Sequence, residues 1–219
     1  MKLTAVEEKN YLRIALILGI ITVVYNLAEG AVSTIFGYAD DTLALFGFGI
    51  DSFVEVMSGI GIVHMVIRMR RSPVSGRDRF ERQALYITGA GFFILAAGLV
   101  VGALLNIIFR VKPGTTVPGI IISSVSILTM WALYLLKLRA GRRLDSAPIM
   151  ADANCTKTCL YLSFILLASS GLYALARVPY VDSLGALGIA WFAFREGRES
   201  VEKARSGSLT CSCENDCRE

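Results

Sequence analysis

Two pairs of polar side chains in a largely apolar chain have the types and spacing to do chemistry. Asp51 and Glu55 lie four residues apart within the apolar run 42–67, and Cys155 and Cys159 lie four apart near the start of the run 149–176. On a helix, residues i and i+4 share a face, so each pair presents two donors in one direction. Carboxylates and thiolates are both metal ligands. An acidic side chain at the centre of a membrane-spanning helix costs about 2.5 to 3.5 kcal/mol on insertion scales, so two on one face require protonation, hydration or a cation. Two readings of the acids stay open at this point: a protonated pair facing a wet crevice, or half of a cation site. The cysteines are either small buried packing residues or the other half of that site.

The elements that must position these pairs follow from composition. The chain has 219 residues, of which 54% are hydrophobic, and its mean hydropathy of +0.58 exceeds that of ordinary soluble domains. Six runs approach or exceed the roughly 20 residues that span hydrocarbon: 14–36, 42–67, 84–109, 117–136, 149–176 and 178–194. The last is the weakest, being short with Pro179 and Asp182 near its start. In a five-span alternative, that segment lies partly at the interface. The expected fold is therefore an all-α membrane protein, a six-transmembrane-helix bundle over residues 1–204 with a short Cys-rich tail at 205–219, expected to be disordered. The first run is expected to be retained, because Glu7 and Glu8 precede it and no small-residue cleavage site follows.

Basic residues set the expected orientation. Arg68, Arg70, Arg71, Arg77, Arg79 and Arg82 share one side with Lys137, Arg139, Arg142, Arg143 and both termini. Apart from Lys157 inside a span, only Arg110, Lys112 and Arg177 fall on the other side. The positive-inside rule then puts both termini in the cytoplasm. Topology and anionic headgroups explain these basic loops, so they do not point to nucleic acid. No nucleotide-binding glycine loop, nucleophile elbow or kinase signature occurs, and no enzyme activity or bound cofactor is expected. Gly98 and Gly102 have the spacing that allows close helix–helix approach in lipid.

Depth brings the two pairs together. Entering from the outer side, Asp51 and Glu55 lie about 14 to 20 Å into the membrane at 1.5 Å per residue. Cys155 and Cys159 reach a similar depth from the cytoplasmic side, about 7 to 11 residues in. Glu29 and Asn26 in the first run, at comparable depth, are candidates for an auxiliary ligand or proton relay; the alternative is a water-lined polar face. Asp152 shares the face of Cys155 one turn nearer the cytoplasm, where it would attract cations. Lys157, between the cysteines, would oppose a cation if it faced the site and is harmless if it snorkels away. His64, near the cytoplasmic end of its span, is expected to be interfacial. The tail thiols Cys211, Cys213 and Cys217 form either a metal-capture segment or incidental residues of a disordered tail.

At these residues the sequence resembles the cation diffusion facilitator family of divalent-metal transporters. The likeness runs over residues 26–56, with Leu43-Ala44-Leu45 leading to Asp51-Ser52-Phe53-Val54-Glu55, then over Ala151 to Cys159, and again over residues 188–204. In that family the second helix carries an Asp or His followed four residues later by Asp, and the fifth carries His followed four later by Asp. The resemblance implies that Asp51, Glu55, Cys155 and Cys159 are the metal ligands. It also implies a homodimer, in a bacterial or archaeal cytoplasmic membrane, that exports a divalent cation in exchange for protons by alternating access. This chain departs in having Cys/Cys at the fifth-helix pair and in showing no counterpart of the family's cytoplasmic metal-binding domain. Two thiolates with two carboxylates suit zinc or cadmium better than magnesium, manganese or calcium. Metal binding would displace thiol protons. The rival expectation is a non-transporting membrane sensor of metal or redox state, or an interaction protein, that keeps the transporter fold.

Overall fold

A computed structural model describes residues 5–71, 78–114, 116–177 and 180–206. These residues form six helices: α1 (Ala5–Ala39), α2 (Leu43–Arg71), α3 (Arg79–Phe109), α4 (Val117–Leu144), α5 (Ala147–Ala176) and α6 (Val181–Ser206). Five of them, α1 to α5, are long and apolar enough to cross a membrane. Large apolar side chains point outward over the bundle, with Leu128 at 74% and Leu175 at 88% exposure. Water would not tolerate such a surface, but lipid does. The fold is an all-α membrane bundle.

The sixth helix is less apolar than the others because its second half carries Arg195, Glu196, Arg198, Glu199, Glu202 and Lys203. Its first half is nonetheless in the core. Ala186, Ile189, Ala190 and Ala193 are buried against Phe48 of α2, Phe92 and Leu99 of α3, and Leu166 of α5. An interfacial helix would not bury that stripe, so α6 is a bundle helix. Its main partner is α3; α1 packs on α2 and α4 on α5, while α2 touches α1, α3, α5 and α6.

The helices run past the hydrophobic spans at the Arg-rich end. α4 continues to Leu144, eight residues beyond the apolar run, because hydrogen bonding and Arg-rich turns sustain a helix where hydrocarbon no longer does. Lys137 therefore lies within α4 rather than in a connection. Gly49 marks one close approach of α1 and α2, since a Cβ there would come 2.6 Å from the amide nitrogen of Thr34. The expected Gly98/Gly102 packing is corrected. Gly102 lies against Leu43, but a Cβ on Gly98 would meet nothing within 4 Å, so the spacing does not mark one helix seam.

Short connections close the opposite end. The Asp182 carboxylate on α6 accepts hydrogen bonds from the Leu43 amide (2.9 Å) and the Ala44 amide (3.2 Å). It satisfies two of the orphan donors at the start of α2 from a different helix. Tyr173 donates to the Pro113 carbonyl and the Gly114 amide to that of Asp40, tying the loops together.

Candidate functional site

The polar faces of α2 and α5 meet in the middle of the bundle. The Cys159 sulfur lies 2.7 Å from both Oε1 and Oε2 of Glu55, and the Asn26 amide of α1 donates to Oε2 at 3.0 Å. This contact forms one end of a cavity of about 50 Å³, large enough for an ion or a few waters. Cys155, Asp152 and Thr156 line its α5 wall, and Glu196, Ser200 and Lys203 its α6 wall. Ile62, Leu85 and Phe92 supply apolar surface.

Each side chain is aimed by a simple helical register. Asp152, Cys155, Thr156 and Cys159 fall at i, i+3, i+4 and i+7 along α5, which is one stripe. Glu196, Ser200 and Lys203 fall at i, i+4 and i+7 on α6 and form another. Asp51 shares the face of Glu55 but is set back one turn, outside the cavity lining. It is 2% exposed, and its Oδ1 has no hydrogen-bond partner among the described residues. Of the four expected donors, Glu55 and Cys159 touch, Cys155 lines the same cavity, and Asp51 stands behind them.

Other polar residues sort themselves by partner. Glu29 accepts from the Tyr25 hydroxyl (2.9 Å) and the Ser52 hydroxyl (3.2 Å) at the α1–α2 seam, one turn from Asn26. Asp152 lines the cavity, but its Oδ1 is 2.9 Å from the Lys137 ammonium of α4, which is 1% exposed. Asp152 is therefore half of an ion pair, not a bare carboxylate. Lys157 is outside the cavity lining, with its ammonium 5.8 Å from the ring centroid of Tyr161. Cys211, Cys213 and Cys217 lie outside the described residues.

Among the described residues, the group of three His, Cys, Asp or Glu donors whose ligand atoms all fall within 4.8 Å is His64, Asp78 and Glu81, at the Arg-rich ends of α2 and α3. Arg68 occupies it. Its Nε and Nη2 each donate at 2.9 Å to the buried Glu81 carboxylate, while Asp78 and Glu81 form the capping box that starts α3. His64 sits beside this ion pair, 3.3 Å from Glu81 Oε1, with its side chain 39% exposed.

Glu196 was not singled out by the sequence. It borders the cavity opposite Cys155 and accepts a hydrogen bond of 3.0 Å from Thr158, which lies between the two cysteines on α5. In sequence it belongs to a charge-rich segment that reads as a solvated helix end. The signal that singles it out is the i, i+4, i+7 stripe with Ser200 and Lys203.

Residues 15–206 match the transmembrane domain of cation efflux proteins. The chain belongs to the cation efflux family. The match ends with the last residue of α6, so the family domain and the helical bundle coincide. An uncharacterized transporter of Methanocaldococcus jannaschii is 26% identical over 165 residues, which are 70% of this chain. The aligned part is 58% of that relative's length, so the chain spans less than two thirds of it. Family and apolar helices together make this an integral multi-pass membrane protein of a cation-transporting family.

Proposed function

We propose that this cation efflux protein moves a borderline or soft divalent cation, zinc or cadmium, across the membrane in exchange for protons, with Glu55, Cys159 and Cys155 as its principal donors. The observation that carries the reading is the Glu55–Cys159 contact, an acid and a thiol from two helices inside the bundle. Two anions cannot share a 2.7 Å separation in a low-dielectric interior, so a proton lies between them. A divalent cation entering there takes that proton's place, which couples ion uptake to proton release. Asp51, one turn behind, joins as a fourth donor once α2 rotates or shifts. Asn26 orients Glu55. Glu196 and Asp152 shape the approach, and Glu29 is a proton-holding site linked to α2 through Ser52.

Alternating access suits the cavity's asymmetry. It runs from Glu55 and Cys159 toward Ser200 and Lys203, near the Arg-rich end of α6. The other half of the bundle is closed by Phe48, Leu95, Leu166 and Ile189. If the Arg-rich end is cytoplasmic, this is the conformer that loads from the cytoplasm. A homodimer belongs to the same reading and is checked by cross-linking in native membranes.

The test is uptake of zinc and cadmium into sealed proteoliposomes with an imposed pH gradient. Parental protein should drive metal flux that collapses when the gradient is dissipated. Cys155→Ala with Cys159→Ala should lose most of that flux. Flux of both metals at the parental rate in this double variant rules out the thiol assignment. Metal binding without any proton-linked flux favours a sensor that keeps the transporter fold.

A further inference from the structure

Lys137 is an ammonium that stands behind the wall of the candidate cation site, bonded to two residues of its lining. It reaches from α4 to α5, where Nζ lies 2.9 Å from Asp152 Oδ1 and 3.0 Å from Thr156 Oγ1. The Thr156 hydroxyl donates back to the Asp152 carbonyl at 3.2 Å, which turns its lone pair toward the ammonium. The lysine side chain is 1% exposed and the aspartate side chain 12%. Both partners of the ammonium line the cavity beside Cys155 and Cys159. A bundle needing only a tie between α4 and α5 has one already in the Ser126–Ser163 hydroxyl pair at 2.8 Å, which is buried between the same helices. Burying two charges costs several kcal/mol per ion before their attraction is counted, so this pair is an expensive way to join helices.

We propose that Lys137 is a tethered cation that withholds Asp152 from the transported ion and thereby sets the site's preference for soft over hard divalent cations. The inference rests on the function proposed above. With the ammonium seated, Asp152 is neutralised, and the donors open to an ion are Glu55, Glu196 and the two thiols. Without it, three carboxylates from α2, α5 and α6 border one cavity. Hard ions such as manganese, magnesium and calcium are held by several oxygens, whereas zinc and cadmium gain most from sulfur. A third free carboxylate therefore helps manganese more than cadmium. Lys203, the ammonium that lines the cavity, pairs with Glu199 of its own helix at 2.6 Å.

Cadmium and manganese affinities of the purified full chain, measured separately by competition with a chromophoric chelator, test this. Lys137→Met should lower the cadmium-to-manganese affinity ratio by about tenfold or more, the size of an outer-shell effect on a metal site. It should do so mainly by strengthening manganese. Lys137→Met with Asp152→Asn removes both charges and should return the ratio to the parental value. Asp152→Asn alone leaves an unpaired ammonium beside the site and should weaken both ions by about tenfold. A parental ratio in Lys137→Met overturns the inference and leaves the transport reading standing. If Lys137→Met does not yield folded protein, Asp152→Asn decides, and undiminished affinity for both ions overturns the inference. A parental chain that binds neither ion overturns the proposed function and this inference with it.

Discussion

Asn26→Ala separates orienting a ligand from holding the fold together. Asn26 is 2% exposed, and its Nδ2 donates to Glu55 Oε2 at 3.0 Å. A hydrogen bond to a charged acceptor contributes about 1.5 to 3 kcal/mol, and losing an outer-shell partner lowers metal affinity about 10- to 100-fold, or about 1.4 to 2.7 kcal/mol. Two independent scales thus agree on the loss of binding. Folding stability behaves differently. Asn26 Oδ1 is buried with no hydrogen-bond partner among the described residues, and such an acceptor costs about 1 to 3 kcal/mol. Truncation removes this liability along with the hydrogen bond, so the two terms offset within about 1 kcal/mol. The expected result is a 10- to 100-fold loss of zinc or cadmium affinity, by chelator competition, with nearly unchanged thermal unfolding in detergent. Parental metal affinity in Asn26→Ala, alongside lost binding in Glu55→Gln, would show that Glu55 needs no orienting and refute the reasoning. An equal loss of stability and affinity would assign Asn26 a packing role instead.

Two further outcomes probe the scaffold. Asp182→Ala removes two hydrogen bonds at the start of α2, leaving the Ala44 amide buried and that of Leu43 part-buried, so it should destabilise the protein by about 2 to 4 kcal/mol; denaturant unfolding of the purified chain reads this directly, and an unchanged midpoint rejects the interhelical cap. Gly185→Ala should cost about 1 to 3 kcal/mol by overpacking, because its Cβ would come 2.6 Å from Ser169 Cβ and closer still to Ser169 Oγ. Ser169→Gly in the same chain should recover most of that loss, and a failure to recover it places the strain elsewhere.

The meeting of Glu55 with Cys159 was legible because it rests on one rule. Asp51/Glu55 and Cys155/Cys159 each occupy i and i+4, and antiparallel spans of known thickness bring their depths together. Apolar run length likewise located the helices, but their ends were hidden wherever a helix continued past the hydrocarbon into Arg-rich turns. That is why Lys137 read as a topology signal rather than as a buried partner of Asp152. Asp182 read as a flaw in the last span, yet it caps the second helix. Its partners lie about 140 residues away in sequence, and no local pattern encodes a contact of that range. Glu196 was obscured for another reason. A carboxylate among alternating charges looks solvated until the facing helix, here α5 with Thr158, is known.

Those three residues share a physical logic that bears on how the site works. Lys137, Glu196 and Asp182 are charges that the sequence puts near span ends, and the bundle turns each inward onto another helix. The charges lining the cavity come from α2, α5 and α6, with the α4 ammonium behind Asp152, whereas the half nearer the short connections is filled by Phe48, Leu95, Leu99 and Ile189. Under the proposed function, an ion held at Glu55 and Cys159 thus has a polar route on one side and close-packed side chains on the other. Leaving by the second side requires that packing to part. Small residues concentrate there on α6, with Ala186, Ala190 and Ala193 against α2 and α3, and small contacts let a helix slide with little loss of interdigitation. Under the proposed function, α6 is then the moving element. Its carboxylate at Glu196 and its ammonium at Lys203 travel with it, so the charge bordering the ion changes as the helix shifts. On that proposal, replacement of the bound proton by the ion and movement of α6 become two aspects of one step.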